Sequence, residues 1–298
     1  MQNLLINLLT TQKRDEGWAF HNVFLYFCNM KSKKGLAAVL TILLLATMSC
    51  QEECDLSYLF ADPADSTFQV ADSLREVVVI ACSGSENKGK SIGIFGGSWS
   101  CSSWSWVERE ILSSLLSSPS INTYGFGSRG YATHLGNDVQ EQVINSEEKD
   151  IFLLMGTSND WRDNLPLGTI YDYTVSDGFD DAKRSTFCGG INFCINFLRT
   201  HYPSSKIMFL GGHKFFDNPS GYIWDSRSFN KLRLRYSDYL IAERECAERQ
   251  GVPYMDQFHE IPIDKDNYHT FFLSDYLHHN RNGYYLIGFY QAHFIAKH

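Results

Sequence analysis

Repeatedly in this chain a short apolar run stops at glycine, and stretches with helical spacing lie between the runs. The first run is Ser91-Ile92-Gly93-Ile94-Phe95-Gly96-Gly97-Ser98. Apolar side chains at Ile92 and Ile94 with few helix formers predict a buried strand, and the glycines free the backbone to turn at its end. Ile121 to Phe126 is the second predicted strand, closing on Gly125-Phe126-Gly127-Ser128-Arg129-Gly130, and Ile151 to Met155 is the third, followed by Gly156. Between them, Trp104, Val107, Ile111 and Leu115 recur at helical spacing before Pro119, and Val139 and Val143 lie on a polar helix. Phe187, Ile191, Cys194, Ile195 and Leu198 mark a further helix and Ile207 to Leu210 a fourth strand. Arg227 to Gln250 reads as a long charged helix stopped by Gly251, Val252 to Phe258 as a fifth strand, and Gly283 to Ala296 as an aromatic helix. Such alternation predicts an α/β chain built on a central, mostly parallel, five-stranded sheet. Ligands of such sheets sit at the carboxyl ends of the strands.

The N-terminal part reads differently. Met30-Lys31-Ser32-Lys33-Lys34 is basic, Leu36 to Met48 is apolar, and Thr47-Met48-Ser49-Cys50 brings small residues up to a cysteine, the form of a signal peptide. The apolar stretch falls short of the ~20 residues that a membrane span needs. It resembles a bacterial lipoprotein signal, which implies that Cys50 is lipidated and that the protein is exported and anchored through that lipid. Cys50-Gln51-Glu52-Glu53 further resembles an acidic tag that sends some lipoproteins to the outer surface, with the periplasmic side as the alternative. Residues 1 to 49 are then upstream sequence and signal, with translation expected to start at Met30. A longer membrane-associated leader is the alternative, because Leu4 to Leu9 and Val23 to Phe27 are apolar. Residues 50 to 75 read as a polar tether and 76 to 298 as one domain, ordered from Val77-Val78-Val79-Ile80 onward.

A chain of 298 residues with 44% apolar composition can bury one substantial core. The formal charge of -8, with no Lys and Arg cluster after residue 50, argues against a nucleic-acid partner. Removing residues 1 to 49 takes away five basic and two acidic residues, so the remainder is more acidic still and suits uncharged substrates. Of eight cysteines, Cys28 would be lost and Cys50 lipidated. Cys54, Cys82, Cys101, Cys188, Cys194 and Cys246 show neither a CxxC pair nor His-rich spacing, so no zinc site is expected and most read as buried small hydrophobes.

The chemistry-bearing residues gather at the predicted strand ends and in one late loop. Ser98 is the candidate nucleophile, but a serine hydroxyl needs a base to take its proton, and histidine suits that task near neutral pH. Asp275-Tyr276-Leu277-His278-His279-Asn280 supplies His278 as the base and Asp275, three residues earlier, as the group that holds its tautomer. The oxyanion formed by attack needs donors in place. The Ser98 N–H, an N–H of the Gly127-Ser128-Arg129-Gly130 loop and the Asn159 side-chain amide are the candidates. His134, His201, His213, His259 and His269 have no patterned partner.

With these residues the chain resembles the SGNH, or GDSL-type, hydrolase family from about Ser91 to the C-terminus. Gly96-Gly97-Ser98, the Gly125 to Gly130 turn, Gly156-Thr157-Ser158-Asn159-Asp160 and Asp275 to Asn280 match its four blocks in order. The resemblance implies a three-layer flavodoxin-like fold and ester hydrolysis through an acyl-serine, without a cofactor. Gly97 stands where the family name expects aspartate, and strict spacing in the second block puts the oxyanion position at Ser128 with Gly127 and Gly130 flanking it.

A rival motif precedes the first strand: Gly84-Ser85-Glu86-Asn87-Lys88-Gly89-Lys90-Ser91 matches a phosphate loop letter for letter. Its mechanism requires a helix opening at the Gly-Lys-Ser end, where a strand is predicted instead. Among the aromatics, Trp99 and Trp161 are the candidates for a substrate-stacking wall, and the polar segment from 161 to 184 reads as a binding wall or lid. Export and aromatics together favour an ester or glycan-ester substrate, with acetyl removal from extracellular glycans as the leading reading. A lipase or general esterase and a catalytically silent glycan-binding lipoprotein are the alternatives.

Overall fold

The computed structural model describes residues 70 to 298, apart from 103–104, 133–135, 146, 174–183, 218–221 and 224–228. The expected leader, Cys50 with its expected lipidation, most of the expected tether, Trp104 and His134 lie outside the described residues.

Five strands form the central sheet: β1 (Ile92–Gly96), β2 (Ile121–Gly125), β3 (Ile151–Met155), β4 (Lys206–Leu210) and, after a short β5 (Phe216–Asp217) and β6 (Tyr222–Ile223) pair, β7 (Tyr254–Met255). Their order is β2-β1-β3-β4-β7 and every pairing is parallel. β1 and β3 are buried along their whole length, which is why both read as near-continuous apolar runs. The chain steps from β1 outward to β2 and then back across to β3, so the order reverses between β1 and β3. Ligand sites of such sheets form at that reversal, here the strand ends that carry Gly97-Ser98 and Gly156 to Asp160.

Helices flank the sheet in two groups. α2 (Trp106–Leu116) links β1 to β2 and packs with α1 (Asp72–Ser83) and the last helix, α8 (Arg281–Lys297), on one face. α3 (Gly136–Asn145), α5 (Phe187–His201) and α6 (Tyr236–Arg249) pack on one another on the other face, and the short α4 (Asn159–Arg162) and α7 (Gln257–Glu260) complete the chain. Two helix layers around one sheet make the three-layer α/β architecture that the sequence predicts. Cys82, Cys188, Cys194 and Cys246 are buried, and Cys101 is half-buried.

Two sequence expectations are corrected. The chain is helical from Asp72, before the expected Val77, and the apolar run from Val77 to Ala81 lies in α1 with Val78 and Cys82 facing inward and Val77, Val79 and Ile80 exposed. The phosphate-loop letters therefore join a helix to a strand, the reverse of the strand-to-helix order that phosphate binding needs. Ser91 instead donates through N–H and Oγ to the Asp150 carboxylate, at 2.8 and 2.7 Å. The charged helix starts at Tyr236, not Arg227. Asn230 Oδ1 accepts from Leu232 N and Leu234 N, and Arg233 has a left-handed backbone, so residues 229 to 235 form a knotted turn in place of a helical one.

Candidate active site

The carboxyl end of β1 turns sharply at Gly97 into a single 3₁₀ turn, Ser98–Ser100, held by Ser100 N to Gly97 O at 3.1 Å. Gly97 has φ -78 and ψ -151, open to any residue, so space and not torsion demands the glycine. A Cβ there would lie 2.9 Å from the Arg129 carbonyl and 3.1 Å from both Asn159 Nδ2 and Thr157 Oγ1. The second and third blocks thus close over the residue before Ser98, and an aspartate at this position would displace them.

Opposite Ser98 stands the late loop that runs into α8. His278 Nε2 is 2.9 Å from Ser98 Oγ, and His278 Nδ1 is 2.6 Å from Asp275 Oδ2. Asp275 Oδ1 accepts the backbone N–H groups of Leu277 and His278, both at 2.9 Å, so the carboxylate is fixed to the same turn that carries the imidazole. Tyr276 between them adopts a left-handed backbone, which folds the turn tightly enough for both contacts. Burial alone would raise the Asp275 carboxyl. The His278 ring and the two N–H groups outweigh it and hold the group below the ordinary carboxylate range.

Asn159, at the start of α4, donates Nδ2 to the Arg129 carbonyl at 2.7 Å. One amide hydrogen is used there and the second remains for a ligand oxygen. Of the second-block candidates, Gly130 packs against Asp160, where a Cβ would come within 2.6 Å of both carboxylate oxygens. Gly127 faces open space, and Ser128 takes a left-handed backbone. Among the described residues, the second-block contact to Asn159 comes from the Arg129 carbonyl, which sequence reasoning did not single out.

Asp160 was visible only as the neighbour of Asn159. Its buried carboxylate accepts Tyr131 N and Ala132 N, each at 2.8 Å, and so pins the second block to the third. Burial pushes its carboxyl up to about 7, against the pull of those N–H groups. Glu243 plays a similar part deeper in, accepting Gly212 N at 2.7 Å and Tyr254 Oη–H at 2.9 Å behind the ends of β3 and β4. Neither partner set lies near its carboxylate in sequence, so no local pattern signals it.

Trp99 and Trp161 correct the stacking-wall reading. They are 3% and 5% exposed, and their indole N–H groups donate to the carbonyls of Leu277 and Leu234, at 3.0 and 3.1 Å. Their rings are packed inside and offer no face to a sugar. Likewise, the segment after Trp161 is tied down as far as Tyr173: Asn192 Nδ2 donates to the carbonyls of Ile170 and Asp172, and Tyr173 packs edge-on against Phe193. His279 is buried and does not compete with His278 for Ser98. Among the described residues, no group of three or more His, Cys, Asp or Glu is placed to hold a metal ion.

No protein-family model and no curated protein matches the chain. Solved structures do. One is 20% identical, with a TM-score of 0.59 over 72% of this chain and 98% of that one. A protein from Lactobacillus plantarum is 19% identical, with a TM-score of 0.59 over 71% of this chain and 98% of its own. A lipase/acylhydrolase from Enterococcus faecalis is 12% identical, with a TM-score of 0.46 over 70% of this chain and 96% of its own. With a five-stranded parallel sheet between two helix layers, and four separated sequence blocks brought to one end of it, this chain has the α/β fold of the first two of these solved structures.

Proposed function

We propose that this protein is a serine ester hydrolase with Ser98 as nucleophile, His278 as general base and Asp275 as its orienting carboxylate. The observation that carries the reading is the continuous relay from Asp275 Oδ2 through the imidazole to Ser98 Oγ, at 2.6 and 2.9 Å. Ser98 Oγ attacks the ester carbonyl carbon while its proton passes to His278 Nε2. The carbonyl oxygen takes up the negative charge beside the Asn159 amide and the backbone N–H groups of the first two blocks. The oxyanion then collapses and breaks the bond from the carbonyl carbon to the alkoxy oxygen as the imidazolium gives that oxygen its proton, so that an alcohol leaves and an acyl-serine remains. Water repeats the sequence on the acyl-serine, with His278 again the base, and releases the acid. A fluorophosphonate probe should label the wild type and leave Ser98→Ala and His278→Ala unlabelled. A wild type that resists the probe and turns over no aryl acetate would sink the reading in favour of a silent binding protein.

We propose further that the chain is an exported lipoprotein, lipidated at Cys50, that removes acetyl groups from extracellular glycans. The support is the signal-like stretch ending at Cys50 and the acidic charge, which suits uncharged polymers. The tryptophan argument no longer contributes, because both rings are buried. Acetate release from acetylated xylan or acetylated sialic acid, lost in Ser98→Ala, is the expected result. Activity on simple esters with none across a glycan panel would leave a general esterase or lipase. Palmitate labelling that is lost in Cys50→Ala tests the anchor.

A further inference from the structure

The nucleophile and its base come from segments 180 residues apart, yet their ring and hydroxyl must meet within a few tenths of an ångström. The residue after each of them goes into one buried cluster. Trp99 follows Ser98 and His279 follows His278, and the cluster is completed by His213, beyond β4, and Tyr284, in the first turn of α8. Trp99 meets His213 edge-on at 5.1 Å between ring centroids, His213 meets His279 at 4.8 Å, and His279 meets Tyr284 at 5.6 Å. Tyr284 Oη–H then closes the ring by donating to the Trp99 carbonyl at 3.2 Å. All four side chains are at most 3% exposed.

One member also reaches the segment that carries the base. Trp99 Nε1–H donates to the carbonyl of Leu277, the residue before His278, at 3.0 Å. The main chain of Trp99 is bonded to the nucleophile and its indole is bonded to the segment carrying the base. Through a single rigid side chain the two are therefore held at a fixed separation.

We propose that Trp99 is a positioning residue, whose indole N–H bond to Leu277, braced by Tyr284, sets the contact between Ser98 Oγ and His278 Nε2. The inference rests on the esterase reading for its catalytic consequence, and on the hydrogen bonds alone for its structural one. Burial pushes the imidazoles of His213, to about 3, and of His279 well down, so the cluster carries no charge near neutral pH.

Trp99→Phe keeps a packed ring and removes the N–H. The test compares wild type, Trp99→Phe, Tyr284→Phe and Ser98→Ala by two readouts. In ring-nitrogen NMR spectra at fixed pH, the His278 Nε2 resonance of Trp99→Phe should move toward its position in Ser98→Ala, where the hydroxyl contact is gone. With p-nitrophenyl acetate, kcat per burst-titrated active site should fall about 10- to 100-fold while KM stays within about twofold, as expected for a misplaced reacting group. A merely structural role would lower the titratable fraction and leave kcat per site intact. Tyr284→Phe should give a smaller change of the same sign, and it carries the test if Trp99→Phe does not fold. An unmoved Nε2 resonance with kcat per site within about twofold of wild type overturns the proposal. A wild type without esterase activity whose Nε2 resonance still responds to Trp99→Phe sustains the positioning role and overturns the esterase reading instead.

Discussion

Gly97→Ala adds one methyl group in the tightest part of the site, and its effect can be worked out from three distances. The new Cβ would stand 2.9 Å from the Arg129 carbonyl and 3.1 Å from Asn159 Nδ2, where ordinary contact begins at 3.4 Å. The carbonyl must therefore retreat by about half an ångström, the difference between 3.4 and 2.9 Å. That oxygen is main chain and holds the Asn159 amide at 2.7 Å, so the amide moves with it. Misplacing a reacting group by ~1 Å costs ~100-fold in rate, which makes half that distance worth about tenfold. Complete loss of an oxyanion donor, ~100- to 1000-fold, bounds the effect from above. The overpacking also costs about 1–3 kcal/mol of stability. Burst-titrated kcat on an aryl acetate and a thermal melt measure both quantities. An alanine enzyme with kcat within about twofold of wild type would refute the claim that the second and third blocks close on this residue.

Asn159→Ala should lower kcat by ~100- to 1000-fold with little change in KM, because the amide is needed most once the oxyanion has formed. Asp275→Asn should cost ~10⁴-fold in kcat while His278 stays in place, readable by comparing turnover with fluorophosphonate labelling of the same preparation. Glu108, buried on α2, has its carboxyl pushed up to about 8 by burial, against the opposing pull of the Gln291 amide and Arg109. Its folded-state pKa lies above the ordinary 4.5, so the folded protein keeps a proton that the unfolded chain has lost, and stability falls as pH rises from about 4.5 to 8. Glu108→Gln should flatten that part of the curve of melting temperature against pH; an unchanged slope would assign the loss to other groups.

Much of this architecture was legible because apolar runs ending in glycine are strands that must stop at a crowded rim. β1 and β3 were read almost to the residue for that reason, since Ile92, Ile94, Phe95 and Ile151 to Met155 are buried on both faces. Ser98, Asp275 and His278 were legible because two of the three share a turn and the third sits at a strand end. The start of α6 was not. Arg227, Lys231, Arg233 and Arg235 extend the charged character of the helix back along the chain, and only the side chain of Asn230, folding back on Leu232 and Leu234, shows that the segment turns. Trp99 and Trp161 failed differently: an indole before a glycan and an indole donating to a carbonyl far along the chain have the same local sequence. Asp160 and Glu243 were silent for the same reason, since their partners are backbone N–H groups and a tyrosine brought in from other elements.

The distance along the chain between Ser98 and His278 has a temporal meaning. At ~5–20 residues per second of synthesis, roughly 10 to 40 s separate the appearance of the alcohol from that of its imidazole. Until then the alcohol is an ordinary serine, so on the proposed mechanism a growing or truncated polypeptide has no means of attacking esters around it. On that mechanism competence requires the turn from Asp275 to His278, just ahead of α8, to be in place, which makes the finished fold its own safety catch.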